Sequence, residues 1–212
     1  MTIKLFSNLT KTKIEILILL LFLLTNSSCS VYQTMVNLSR LNFKLGTVNN
    51  FTVGGVNISN KKSLNDFNPL EIVSLTQVIA TGKLPASFTL NVETKNPNDG
   101  TGGYPKTDAT LKSFPWRLEI DNVETISGNI GSPVSVPGTG EVTNIPLSMS
   151  IDLIEFFGNK GYENLVNLAL NLGGKEGSLS KLSLYASPTV SSPLGDIKYP
   201  GELKIVEQSF TN

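Results

Sequence analysis

The chain has 212 residues, 17 Lys plus Arg against 17 Asp plus Glu, no His and a single Cys, a composition in the ordinary globular range. Without histidine there is no Ser-His-Asp or Cys-His relay, no imidazole proton shuttle and no histidine-rich metal site; a lone cysteine excludes an intramolecular disulfide or a multi-thiolate zinc site. Zero net charge and only two arginines, Arg40 and Arg117, leave no electrostatic footprint for a phosphate backbone and argue against nucleic acid as a partner.

In chain order, the first element is an address. Lys4, Lys11 and Lys13 form a basic lead, Ile14 to Leu24 is an almost wholly apolar run, with Glu15 near its start, and Thr25-Asn26-Ser27-Ser28-Cys29 follows. This is the layout of a secretory signal, and the run is too short for a hydrocarbon core that needs about 20 residues. The only cysteine stands just behind it, after two small serines, so residues 1–28 resemble a bacterial lipoprotein signal, in which the cysteine becomes residue one and carries acyl groups. Asn26 stands where that pattern usually has Leu. The alternative is an ordinary signal followed by a free thiol, a liability in an oxidising compartment. Processing would remove Lys4, Lys11, Lys13 and Glu15 and leave 14 basic and 16 acidic side chains, so acyl chains on Cys29 and not anionic lipids would do the anchoring. Residues 29–40 then read as a polar tether, and 41–212 as a single domain.

The body reads as strands. Alternation marks Leu84 to Glu93, Phe114 to Asp121 and Ile145 to Leu153, with Pro85, Pro115 and Pro146 on the polar phase, where edges or bulges tolerate them. Shorter alternations run through Leu41, Phe43 and Leu45, through Phe51 and Val53, through Leu182, Leu184 and Ala186, and through Leu203 and Ile205. One apolar and one polar face per strand predicts a mainly β fold, an antiparallel β-sandwich of the immunoglobulin or fibronectin type III kind, with two accessory helical segments. The first helix is predicted from an Asn68 cap, Pro69 at the first position, Glu71 at the third, an apolar face of Ile72, Leu75 and Ile79, and Gly82 at its close. The second starts at Asp152, runs through Phe157, Leu165, Leu168 and Leu172, and is broken into two pieces by Gly158 and Gly161.

From Leu84 to Leu153 the chain resembles the late embryogenesis abundant (LEA) type 2 family, also called the water stress and hypersensitive response (WHy) domain. The matching pieces are the strand leading into Lys95-Asn96-Pro97-Asn98, the strand ending Ile120-Asp121-Asn122, Gly128, and Val136-Pro137-Gly138-Thr139-Gly140 before Ile145-Pro146-Leu147. The resemblance implies a sandwich similar to fibronectin type III domains, a stress or desiccation role, no catalytic residues, and an exported Bacteroidota-like bacterial lipoprotein. The Gly-rich loop from Asp99 to Lys106 is longer than the usual connection.

Each candidate for chemistry has a plainer account. Gly100 to Gly103 lacks the Lys and the following helix of a phosphate cradle. Asn96, Asn98 and Asp99 offer calcium one carboxylate where six to eight oxygens are wanted. Ser178 with Lys181, and Ser59 with Lys62, have the Ser-x-x-Lys spacing without the companion motifs. Glu119, Asp121 and Arg117 share a strand's outer face and read as surface electrostatics, not as a carboxylate pair across a cleft; Phe114, Trp116 and Leu118 read as core, not as an aromatic platform. The expectation is a lipid-anchored, non-enzymatic envelope protein with no cofactor and no metal, acting through surface contacts with an unknown envelope protein or with the membrane. The alternative is a carrier holding a lipid or other apolar ligand between the helices, 69–80 and 152–172, and the sheet. Hydrolysis is disfavoured because acid–base groups do not converge in the sequence.

Overall fold

The computed structural model describes residues 40–102, 105–174, 178–192 and 195–207. The expected signal, Cys29 and all but the last tether residue lie outside the described residues. Among the described residues, twelve strands form three antiparallel four-stranded sheets in a sandwich-like arrangement.

The first sheet has the order β2-β1-β3-β8, where β1 is Asn42–Val53, β2 Val56–Asn57, β3 Pro85–Lys95 and β8 Val142–Asp152. In β3 every even residue from Ala86 to Thr94 is buried, the period expected of a half-buried strand. The expectation of two separate stretches around Phe43 and Phe51 is corrected: both belong to β1. The register against β3 slips between Leu45 and Val48 and again between Asn49 and Thr52. Each slip inserts one residue, and one residue inverts the faces. Two slips restore the original phase, so Phe43, Leu45, Phe51 and Val53 all point into the core. Asn50, inside the second slip, takes the left-handed conformation at φ 56°, which asparagine tolerates better than most residues. Pro146 lies in β8, an edge strand, and Pro85 heads β3, as the proline positions predict.

The opposite layer consists of β11-β10-β4-β7 and β12-β9-β5-β6. Its strands are β4 Ala109–Ser113, β5 Trp116–Ile120, β6 Val123–Gly128, β7 Val134–Val136, β9 Leu182–Ala186, β10 Thr189–Ser192, β11 Gly195–Lys198 and β12 Leu203–Ile205. These two sheets are one ladder interrupted by prolines. Ser113 pairs with Thr189 and, three residues along each strand, Trp116 pairs with Ala186. Pro115 and Pro188 occupy the gap, and their carbonyls accept from Ser187 N (3.0 Å) and Tyr199 N (2.8 Å). Proline removes the donors that would continue the ladder, so it bends there. The first layer meets this one at an edge, where Leu45 N donates to Val206 O at 3.1 Å.

Among the described residues, three α-helices gather at one end: α1 Pro69–Ala80, α2 Leu153–Phe157 and α3 Tyr162–Gly173. The Asn68 side chain accepts from Glu71 N while the Glu71 carboxylate accepts from Asn68 N (both 2.9 Å), the reciprocal box read from the sequence, with a cap worth roughly 1 kcal/mol. Asp152 caps α2 through Ile154 N and also accepts from Leu84 N, tying the end of β8 to the start of β3. A short 3-10 turn, Gly158–Lys160, and Gly161 at φ 78° separate α2 from α3, the break the two glycines predict. α3 turns Leu165, Leu168, Ala169 and Leu172 inward, closing the core between the layers. On α1 only Leu75 is buried; Ile72, expected inward, is 50% exposed, and Leu70 and Val73 are 79% and 52% exposed.

Candidate functional site

Two polar regions lie toward opposite ends of β1. At the end where the described chain begins, Asn96 and Asn98 are 0% and 1% exposed. Asn96 Nδ2 donates to the carbonyls of Thr107 and Val136, both at 2.9 Å. Asn96 Oδ1 accepts from Asn98 N (3.2 Å) and Asn98 Nδ2 (2.8 Å). Asn98 Oδ1 in turn accepts from Arg40 Nη1 at 2.8 Å. One amide therefore satisfies backbone on both sides of the corner, as a buried polar group must. Gly138 N donates to Asp108 Oδ1 at 2.8 Å, and a Cβ on Gly138 would lie under 3.0 Å from the carbonyl oxygens of Asn98 and Thr107; only glycine fits there. The Asn-Pro-Asn and Pro-Gly-Thr-Gly segments are thus two halves of one buried joint. The oxygens considered for calcium face protein donors, and Asp99 Oδ1 accepts from Thr101 N and Oγ1.

The helical end holds two grooves, one on each flank of α3. The first is apolar, about 230 Å³, lined by Leu64, Phe67, Ile72, Leu75, Ile79 and Val166 among others, and lies between α1 and α3. The second is polar, about 330 Å³, lined by Asp121, Lys160, Asn164, Asn167, Leu168, Asn171 and Lys181. Asp121 and Asn122 form the two-residue turn between β5 and β6 at φ 53° and 63°, the doubly left-handed turn whose twist suits an antiparallel hairpin. That turn is fixed by Asp121 N donating to Lys181 O at 2.9 Å. The Asp121 carboxylate receives Lys160 Nζ at 2.8 Å, with Lys181 Nζ 3.7 Å away. The Lys160 hydrogen bond, followed by the Lys181 charge, holds its carboxyl below the usual value.

A depressed folded pKa adds stability above the unfolded value of about 3.9, an increment lost as pH falls through the lower folded value. Asp121→Asn is expected to flatten the fall in urea midpoint between about pH 5 and pH 2; an unchanged acid slope would show that Asp121 gains nothing from its lysines.

Arg117 forms a separate cluster on the outer face of β5. Its guanidinium meets Glu202 through Nε and Nη2 at 3.0 and 2.8 Å, Glu119 at 3.0 Å and Glu124 at 2.9 Å, and lies 3.9 Å over the Tyr185 ring. These carboxylates, Glu202 first, raise the Arg117 pKa, and Arg117 lowers that of Glu202. The cluster ties β5 to β6, β9 and the approach to β12.

No protein-family model and no curated protein matches this chain. Among solved structures, a solution structure of a protein described as of the late embryogenesis abundant (LEA) type is similar at 16% identity and TM-score 0.36, over 93% of this chain and 90% of that one. A crystal structure from Archaeoglobus fulgidus is similar at 12% identity and TM-score 0.31, over 57% of this chain and 85% of that one. A solution structure from Arabidopsis thaliana is similar at 15% identity and TM-score 0.28, over 58% and 73%. At these scores the similarities carry no argument about function, and the candidate site rests on its own geometry.

Arg117 and Glu119 pair on one outer face, as read. Asp121 departs from that face because its positive φ turns it into the hairpin, and it joins Lys181 instead. Lys181 therefore faces a carboxylate, and Ser178 N donates to Asn171 O at 2.6 Å. Ser59 N donates to Asn57 Oδ1 and Lys62 N to Asp66 Oδ2, within a capped turn. Gly100 and Gly102 take φ 96° and 67° in a strand connection. Phe114, Trp116 and Leu118 are core. Leu165, Leu168 and Leu172 of α3 are buried in the core, and the apolar groove lies between two helices. The amides of Asn164, Asn167 and Asn171 belong to no recognised motif, but their i, i+3, i+7 spacing puts them on one helix face.

Proposed function

We propose that the chain is a lipid-anchored, non-enzymatic cell-envelope protein whose sandwich, of the LEA type 2 kind, works by surface contact in stress or desiccation tolerance. The observation that carries this reading is that the polar side chains of the corner joint and of the Arg117 cluster are spent on holding the fold. Asn96, Asn98 and Asp108 hold the corner joint, and Arg117 with its carboxylates holds the outer face. A general acid or base needs a group free to reach a reacting proton. The order of the chain adds an orientation. Arg40, the last residue of the tether, hydrogen-bonds to Asn98 at the corner, and β1 runs twelve residues from there to the helical end, a span of roughly 40 Å at strand rise. A chain anchored at Cys29 would hold its grooves away from the membrane.

In the host, Cys29→Ser is expected to abolish incorporation of labelled palmitate and to move the protein from the membrane to the soluble fraction. Unchanged labelling of that variant would overturn the anchor. A second reading, an apolar-ligand carrier, draws on the groove between α1 and α3. At about 230 Å³ and open to solvent, it suits a small apolar group better than an enclosed lipid, since ligand sites usually run from about 300 Å³ upward. Native mass spectrometry of the full-length protein extracted in mild detergent separates the two. A diacyl or triacyl mass beginning at Cys29 with nothing else bound supports the contact module; a released lipid supports the carrier.

A further inference from the structure

We propose that the polar groove beside α3 is a binding site for an acidic saccharide, a ligand with neighbouring hydroxyls and at least one carboxylate. Asn164, Asn167 and Asn171 lie at i, i+3 and i+7 and form a stripe about 10 Å long at helix rise. Asparagine is among the poorer helix formers, yet a twelve-residue helix carries three of them along one groove, a local cost with no gain in packing. Asn164 Nδ2 donates to Lys160 O at 2.7 Å; among the described residues no hydrogen bond engages the side-chain amides of Asn167 and Asn171.

Each amide offers donors and an acceptor, the complement of a hydroxyl that also gives and takes a hydrogen bond. The charged members are two lysines against one carboxylate, so the groove has one positive charge in excess. Lys160 is bound closely to Asp121, whereas Lys181 stands 3.7 Å off and half exposed, leaving its ammonium able to receive a second carboxylate. Asp121 contributes an acceptor between them, and Leu168 provides an apolar floor. A volume of about 330 Å³ falls at the small end of ordinary ligand sites, about 300 to 1,000 Å³. A phosphate alone would leave the amide stripe unused, and an apolar ligand would strand it.

The inference is independent of acylation at Cys29. It is tested by titrating the full-length protein in detergent micelles with digalacturonate while following the side-chain amide signals of the three asparagines by NMR. Saturable shifts of Asn167 and Asn171 are expected, with millimolar or tighter affinity, weakened about tenfold or more in Asn167→Ala/Asn171→Ala. Lys181→Met should reduce the preference for digalacturonate over maltose, while thermal midpoints stay within a few degrees because these side chains are at the surface. Signals unmoved by about 20 mM digalacturonate, or shifts undiminished in the double variant, would overturn the site. Equal shifts with inorganic phosphate at matched ionic strength would do so too, by showing a general anion effect.

Discussion

Asn96→Ala is expected to destabilise the protein by about 3–5 kcal/mol, because it strips partners from several buried backbone groups together. The carbonyls of Thr107 and Val136 lose their shared donor, and Asn98 N and Nδ2 lose their acceptor. Each buried group left unpaired costs roughly 1–3 kcal/mol, far more than a solvated hydrogen bond is worth. Asn96→Asp discriminates this from a mere loss of volume. The carboxylate keeps the shape and the acceptor for Asn98, but it turns an oxygen toward two carbonyl oxygens, so it should be no more stable than the alanine variant near neutral pH. Urea midpoints at constant slope measure both. A loss below about 1 kcal/mol in Asn96→Ala would mean that the joint is not what holds the corner.

That joint explains why the sequence could flag the segment without reading it. Proline and asparagine at 96–98 announced a turn, and Pro137-Gly138-Thr139-Gly140 announced another. Nothing local says that one asparagine amide spans both, because the contact joins residues about forty positions apart. The prolines were legible for the opposite reason. The missing N–H of Pro146 is a property of the residue itself, and its edge position follows directly. α1 was legible for the same reason, since its cap and first turn are made by neighbours in sequence.

Where long-range geometry decides, local pattern failed in consistent ways. The two register slips of β1 split one strand into two apparent ones, because each slip inverts the phase on which a period-two reading depends. Ile72 fits the apolar face expected of α1, yet is half exposed, because period alone does not tell how much of a helix face its neighbours cover. Asp121 kept the alternation of β5, so its place in a left-handed turn was hidden, and with it the lysines that meet it. The amide stripe was legible in principle. Asn164, Asn167 and Asn171 repeat at helix spacing beside a leucine face, and only an eye for apolar periodicity passes them over.

The other large effect is expected at Gly173, the last residue of α3. A Cβ there would lie under 3.0 Å from three atoms of Phe51, two of them in the ring, and Phe51 has nowhere to go. It is fully buried and stacked on Phe88, with centroids 4.8 Å apart and planes inclined by 7°. Phe51 owes its inward direction to the paired slips of β1, so the helix end and the bulged strand were fitted to each other. Gly173→Ala must therefore shift the ring stack or lift α3, an overpacking cost of about 1–3 kcal/mol that should sit at the upper end. Lifting α3 would also widen both grooves, since each is bounded by it. The double variant Gly173→Ala/Phe51→Leu tests the cause. If the clash is with the ring, the pair should be more stable than the sum of the single losses predicts, with a coupling of about 1 kcal/mol or more. Strict additivity would place the strain elsewhere, and hydrogen exchange along α3 would then show whether the helix end had moved at all.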